Sequence, residues 1–179
     1  MRRSRTPFAV LAALVVAVGA TLLVTGGSSA APTKSQALFK KTLLADAKTT
    51  SDVKRLLSDD GGFVAPDITF EDLTGDGRSD AIVLVDSGGV AGAVALYVFS
   101  TDGASAQSDL RVVYRSQRLY RATAEVADAA LILRTPRFAE GDDVCCPAKI
   151  VQRTYAWSDR AGTLRQRRSE ELPAPRGRS

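Results

Sequence analysis

The hydrophobic pattern of the chain changes from helical to strand-like near Gly62. Before this residue, apolar side chains recur every three or four positions, as they do on one face of a helix. The pattern predicts a helix over Thr33–Lys48, with Thr33 and Gln36 at the spacing of a capping box. It predicts a second short helix that is capped by Ser51 and ended by Gly61 and Gly62. We expect both helices to pack an apolar face against a core.

After Gly62, short apolar runs alternate with turns that contain glycine or aspartate. Because no helical pattern separates these runs, they predict antiparallel hairpins. Ala81–Val85 is apolar throughout, which is typical of a central strand covered on both faces. The sequence therefore predicts an α+β fold, with two short N-terminal helices packed on a largely antiparallel β-sheet built from hairpins. The predicted strands are Ile68–Glu71, Ala81–Asp86, Ala93–Ser100, Leu110–Arg115, Arg121–Val126, Ala130–Thr135, Ile150–Trp157 and Thr163–Arg168.

Residues 1–30 have the pattern of an export signal. Arginines precede the apolar stretch Phe8–Val24, and the small residues Ser28 and Ala30 fit cleavage before Ala31. We therefore predict a secreted protein; the alternative is an uncleaved leader that anchors the chain in a membrane. The predicted organisation is a signal peptide at 1–30, a single α+β domain at 31–168 and a disordered tail at 169–179.

The composition excludes several kinds of site. Histidine and asparagine are absent, so the chain has no Ser-His-Asp or Cys-His catalytic group and no histidine ligand for zinc. The formal net charge is +4, but most of this excess comes from arginines of the leader. The remaining chain is close to neutral, which argues against a nucleic-acid partner.

The segment 72–80 has the spacing of a calcium-binding loop. Asp72, Thr74, Asp76 and Asp80 occupy positions 1, 3, 5 and 9 of that spacing, Gly77 stands at the sharp turn of position 6, and Arg78 would contribute its carbonyl. Position 12 is a valine, so the glutamate of an EF-hand is absent. The alternative is a hairpin turn rich in aspartate and glycine, because these residues form turns readily.

This segment resembles the calcium loops of the FG-GAP repeats of integrin-type propellers, in which such a loop precedes an apolar strand. The resemblance implies Ca²⁺ as the cofactor. It also implies a ligand set of Asp72, Thr74, Asp76, the carbonyl of Arg78, and Asp80. A propeller contains several such loops and this chain contains one, so the resemblance does not extend to the propeller fold.

Cys145 and Cys146 are the only cysteines, and they are adjacent. In an oxidising compartment they can form a vicinal disulfide, stay reduced or bridge to another chain. The segment from Cys145 through Pro147 to Trp157 resembles the C-terminal part of small exported actinobacterial proteins, loosely those of the LppP/LprE lipoprotein family. This chain departs from that family because it lacks the lipid-attachment cysteine. The resemblance bears on fold and location and implies no activity.

We expect a non-catalytic secreted or cell-envelope protein that acts as a binding module with a calcium-stabilised loop. One alternative is a hydrolase that uses the carboxylates of Glu140, Asp142 and Asp143. Another is a redox protein that uses the two cysteines. Several arginines fall on the predicted strands, where they could form a basic face for an anionic cell-envelope polymer; another envelope protein is the other expected partner. A solvated outer face is the simpler reading of the same arginines.

Overall fold

The computed structural model describes residues 32–101, 110–143 and 145–174, which belong to one compact unit. The predicted signal peptide and the last residues of the predicted tail lie outside these ranges. The helices are α1 (Lys34–Ala45) and α2 (Ser51–Ser58). The strands are β1 (Phe63–Val64), β2 (Thr69–Glu71), β3 (Asp80–Asp86), β4 (Ala93–Thr101), β5 (Leu110–Gln117), β6 (Thr123–Ala127), β7 (Ala130–Arg137), β8 (Lys149–Ser158) and β9 (Thr163–Pro173).

The beginning of α1 confirms the predicted capping box. The Thr33 hydroxyl accepts the amide hydrogen of Gln36 at 3.2 Å, and the Gln36 side chain accepts the amide hydrogen of Thr33 at 2.8 Å. The helix ends at Ala45, before the predicted end, because Asp46 adopts an extended conformation and accepts the amide hydrogen of Lys48. The predicted cap of α2 is wrong by one position. Thr50 is the N-cap, with no side-chain cap bond, and Ser51 is the first helical residue.

The described strands form two antiparallel sheets, whereas the sequence predicts one. The first sheet has the order β1-β3-β4-β5, with β2 pairing the same edge of β3 as β1 does; the second has the order β6-β7-β8-β9. The chain leaves the first sheet between β5 and β6, where Arg118 and Arg121 have φ of 60° and 46°. Helices combined with antiparallel hairpins are thus confirmed, and the single sheet is wrong.

The first sheet contributes to a separate apolar cluster on each of its faces. Along β4, Tyr97 and Phe99 belong to a cluster that includes Phe39 of α1 and Leu57 of α2. Leu96 and Val98 of the same strand belong to a second cluster, which includes Leu131, Leu133, Tyr155 and Leu164 of the second sheet. Because side chains alternate along a strand, β3 and β4 are apolar on both faces, as the run Ala81–Val85 predicts.

The last strand extends beyond its predicted end. Ser169 pairs with Arg153 and Pro173 pairs with Lys149, so residues 169–173 belong to β9 and not to a disordered tail. The sequence predicts the strand over Thr163–Arg168 but hides its extension, because most residues of β9 are exposed and charged or polar, which removes the alternation that marks a half-buried strand. The two-residue strand β1 was also missed, because a run this short has no detectable period.

Within the described ranges, neither helix is long and apolar enough to cross a bilayer.

Candidate functional site

The predicted calcium loop connects β2 to β3 and begins directly after Glu71. Gly75 and Gly77 have φ of 75° and 81°, in the left-handed region that favours glycine. A Cβ atom at either position would meet nothing within 4 Å, so glycine is needed there for backbone conformation and not for space. Two left-handed residues within three positions fold the loop tightly, as the spacing of the sequence motif predicts.

Asp72 binds two amides of its own loop. Its Oδ1 accepts the amide hydrogen of Gly75 at 2.6 Å, and its Oδ2 accepts that of Gly77 at 2.9 Å. Asp76, which is exposed, accepts the amide hydrogen of Arg78 on Oδ1 at 2.9 Å. These bonds hold both carboxylates in the turn, and each carboxylate retains lone pairs that could bind a cation.

Asp80 is buried, with 1% of its surface exposed. Its Oδ2 accepts the amide hydrogens of Leu73 at 2.9 Å and Thr74 at 2.8 Å, while its Oδ1 lies 3.5 Å from the Thr74 hydroxyl. The first residue of β3 therefore closes the beginning of the loop by hydrogen bonds to its backbone.

The structure brings all five predicted ligand residues into one loop, but each carboxylate faces backbone amides. Within the part of the chain that the structure describes, no group of three or more aspartate, glutamate or cysteine side chains is gathered as metal ligands. The positions agree with the sequence motif, and the observed hydrogen bonds agree with its alternative as a turn.

Cys145 and Cys146 lie in the loop between β7 and β8 and are joined by a disulfide. Asp142 holds this loop closed, because its Oδ2 accepts the amide hydrogens of Ala139 at 2.8 Å and Ala148 at 2.9 Å. These two bonds lower the pKa of the Asp142 carboxyl. A carboxyl group with a lowered pKa is ionised at neutral pH, so it is a poor proton donor for hydrolysis.

A cleft of about 290 Å³ lies between α2 and the β3–β4 hairpin. Apolar side chains of Val53, Leu56 and Val94 line it. Its charged lining consists of Arg118, and of Arg55 with its ion-pair partners Asp52 and Asp60. Asp142 is not among the residues that form this cleft. The cleft and the predicted carboxylate group of the hydrolase alternative are thus separate features.

A polar cluster that the sequence did not predict lies at the connection between the two helices. Arg115 of β5 forms an ion pair with Asp46 at 3.3 Å. Gln117 accepts the amide hydrogen of Thr50 at 2.8 Å and the hydroxyl hydrogen of Tyr97 at 3.0 Å. Burial raises the pKa of the Tyr97 hydroxyl. These bonds join residues far apart in sequence, and no local pattern could have indicated them.

Arg134 belongs to a network of polar side chains on the second sheet. On the outer face of the second sheet, Arg134 bonds to Glu125 at 2.6 Å and to Gln152 at 2.6 Å, and the Gln152 amide donates to Glu170 at 3.0 Å. This polar ladder crosses all four strands of the sheet. It accounts for Arg134 as part of a solvated outer face, one of the two interpretations that the sequence left open.

Comparison of this chain with protein-family models, with curated proteins and with solved structures gives no match.

Proposed function

We propose that this chain is an exported, non-catalytic α+β binding module, in which two short helices cover one sheet and the loop 72–80 takes up Ca²⁺. Its expected location is outside the cell or in the cell envelope, and its expected partner is an anionic envelope polymer or another envelope protein. The proposal combines the leader pattern, the lack of histidine and the loop geometry, each from a different part of the chain.

The observation that carries the calcium proposal is the backbone of the loop. Gly75 and Gly77 take the left-handed conformations that a calcium turn demands, and Asp72 bonds to both of their amides. Exposed Asp76 has one carboxylate bond to the backbone. Binding would require the carboxylates to turn lone pairs toward a common ion. With few charged ligands we expect the weak extracellular class of site, with a Kd of about 10⁻⁴–10⁻³ M.

The two alternatives are weaker on this geometry. A hydrolase would need a protonated carboxyl near its partner, whereas Asp142 is committed to two amides and has a lowered pKa. A redox protein would use the disulfide between Cys145 and Cys146, but dithiol redox motifs place two residues between the cysteines. We therefore retain the binding module as the proposed function.

The test is a thermal melt of the purified chain in millimolar calcium and in chelator. At calcium about a hundredfold above Kd, mass action predicts about 2.7 kcal/mol of stabilisation. Asp76→Asn should abolish the shift, since it removes the most exposed charged ligand while keeping the shape of the side chain. Asp67→Asn is the matched control, because Asp67 is an exposed aspartate outside the loop and should leave the shift unchanged.

A melt that does not respond to calcium would reject the metal site and leave 72–80 as a structural turn. A calcium shift that persists in Asp76→Asn, or that magnesium reproduces in full, would also contradict the proposed ligand set.

A further inference from the structure

The inner face of the second sheet is covered by the apolar cluster over only part of its length. Leu131, Leu133 and Tyr155 of this face lie in the cluster shared with the first sheet. Further along the same strands, the face continues with polar side chains of β7 and β8. Because residues two apart share a face, Thr135 follows Leu133, and Arg153 precedes Tyr155. Arg153 therefore lies where the apolar contact between the sheets ends.

Arg153 is half-buried, and its guanidinium has no carboxylate partner among the described residues. Its one hydrogen bond there runs from NH1 to the Thr135 hydroxyl at 3.3 Å. By contrast, Arg115 is paired with Asp46, Arg134 with Glu125 and Arg137 with Glu171. A guanidinium has five donors, and the single bond to Thr135 leaves most of them available to a further acceptor.

Tyrosines of both sheets lie near this guanidinium. The rings of Tyr114 on β5 and Tyr155 on β8 lie with their centroids 5.1 Å apart. Burial raises the pKa of the Tyr114 hydroxyl and the adjacent Tyr155 raises it further, whereas Ser116 and Arg153 act in the opposite direction. Tyr114 is therefore a neutral hydroxyl near Arg153, and its hydrogen-bond partners are Tyr155 and Ser116.

The same face carries excess positive charge beyond Arg153. Arg137 on β7 lies directly opposite Lys149 on β8, and both side chains form ion pairs with the carboxylate of Glu171. Glu171 is thus already shared by two cations, and it leaves Arg153 without a counter-ion on this face. A mobile anion would complete the charge balance.

We infer that Arg153 and Thr135 form a binding site for an oxyanion group where the apolar contact between the two sheets ends. The guanidinium supplies charge and two parallel donors, and the Thr135 hydroxyl, which accepts from Arg153, keeps its own hydrogen to donate. Phosphate and carboxylate groups share this chemistry. Such a group on an anionic polymer is a natural ligand, and in that respect the inference rests on the partner proposed above. The oxyanion site itself contains no residue of the loop 72–80.

The test is a titration of the isotope-labelled chain with inorganic phosphate, followed by NMR of backbone amides and arginine Nε groups. The titration is run in chelator at constant ionic strength, so its outcome is independent of calcium. We expect saturable shifts that centre on Arg153 and Thr135. A parallel titration with acetate identifies whether a carboxylate is bound as well.

Arg153→Met keeps the length of the side chain and should weaken phosphate binding by about tenfold or more, the loss expected for a charge-assisted hydrogen bond. Arg165→Met is the matched control, because Arg165 is an exposed arginine of β9 opposite Ala156, on the other face of the sheet.

The wild-type titration alone can overturn the inference, whatever the variants do. Shifts that grow linearly with either anion, or that centre away from Arg153, would reject the site. Equal affinities for wild type and a folded Arg153→Met protein would reject it too. Loss of the calcium response in Asp76→Asn with phosphate binding intact would show that phosphate binding does not depend on the calcium site.

Discussion

Replacing Asp80 with alanine tests whether this carboxylate holds the loop together without a metal ion. The side chain is 1% exposed, and one of its oxygens accepts the amide hydrogens of both Leu73 and Thr74. Leu73 is 2% exposed. Its amide therefore has little access to water once the carboxylate is removed.

The expected loss can be worked from these contacts. A hydrogen bond to a charged group contributes about 1.5–3 kcal/mol, and a buried donor left unsatisfied costs about 1–3 kcal/mol. Because the two amides share one oxygen, these terms are not additive, and we expect Asp80→Ala to lower the free energy of unfolding by about 2–4 kcal/mol. Asp80→Asn should cost about 1 kcal/mol, since its amide oxygen can still accept from the backbone.

The measurement is urea denaturation in chelator and again in calcium. If the Asp80 carboxylate acts as the acceptor for these backbone amides, the Asp80→Ala protein should show the expected loss in the free energy of unfolding both in chelator and in calcium. Asp67→Ala, which removes an exposed carboxylate before β2, should change the free energy of unfolding by less than about 0.5 kcal/mol. An Asp80→Ala protein as stable as wild type in chelator would refute the reasoning.

Two further predictions concern a turn residue with a positive φ and the decline of the free energy of unfolding at alkaline pH. Ala129 has φ of 54° in the exposed two-residue turn between β6 and β7, so Ala129→Gly should stabilise the protein by about 0.5–1 kcal/mol, whereas Ala130→Gly in β7 should destabilise it. The raised pKa of Tyr114 means that its stabilising effect is complete below the unfolded pKa of about 10 and is lost as pH rises above it. Tyr114→Phe should therefore flatten the decline in stability between about pH 10 and 11.5, measured by denaturation at each pH.

Local patterns in the sequence predicted elements well, but they could not predict how the elements assemble. All eight predicted strands are present, and most of them are short apolar runs bounded by turn residues. The division into two sheets depends on left-handed conformations at Arg118 and Arg121, and neither residue type signals such a conformation. The amide of Arg121 bonds to the carbonyl of Ala91 at 2.8 Å, a contact that only the folded chain can reveal.

The same limit applies to the candidate sites. The loop 72–80 was found because its ligand positions and glycines lie within nine consecutive residues. The group around Arg153 joins β5, β7 and β8, so no sequence window contains it. Arg153 stood out in the sequence only as one arginine among many. Its interest comes from the absence of a carboxylate partner among the described residues, which is a property of the fold.

The composition offers a physical reason why a calcium-like loop could serve as a turn. Asparagine is absent from the chain, so aspartate takes the part in turns that the two residue types otherwise share. Among the residues that the structure describes, the following aspartates accept backbone amide hydrogens: Asp46, Asp72, Asp76, Asp80, Asp86 and Asp142. Two aspartates of the loop, Asp72 and Asp80, bond two amides each, as Asp142 does outside any predicted metal site. The calcium proposal therefore depends chiefly on Asp76, whose exposed carboxylate has the smallest structural role of the three, and substituting Asp76 separates ion binding from turn formation.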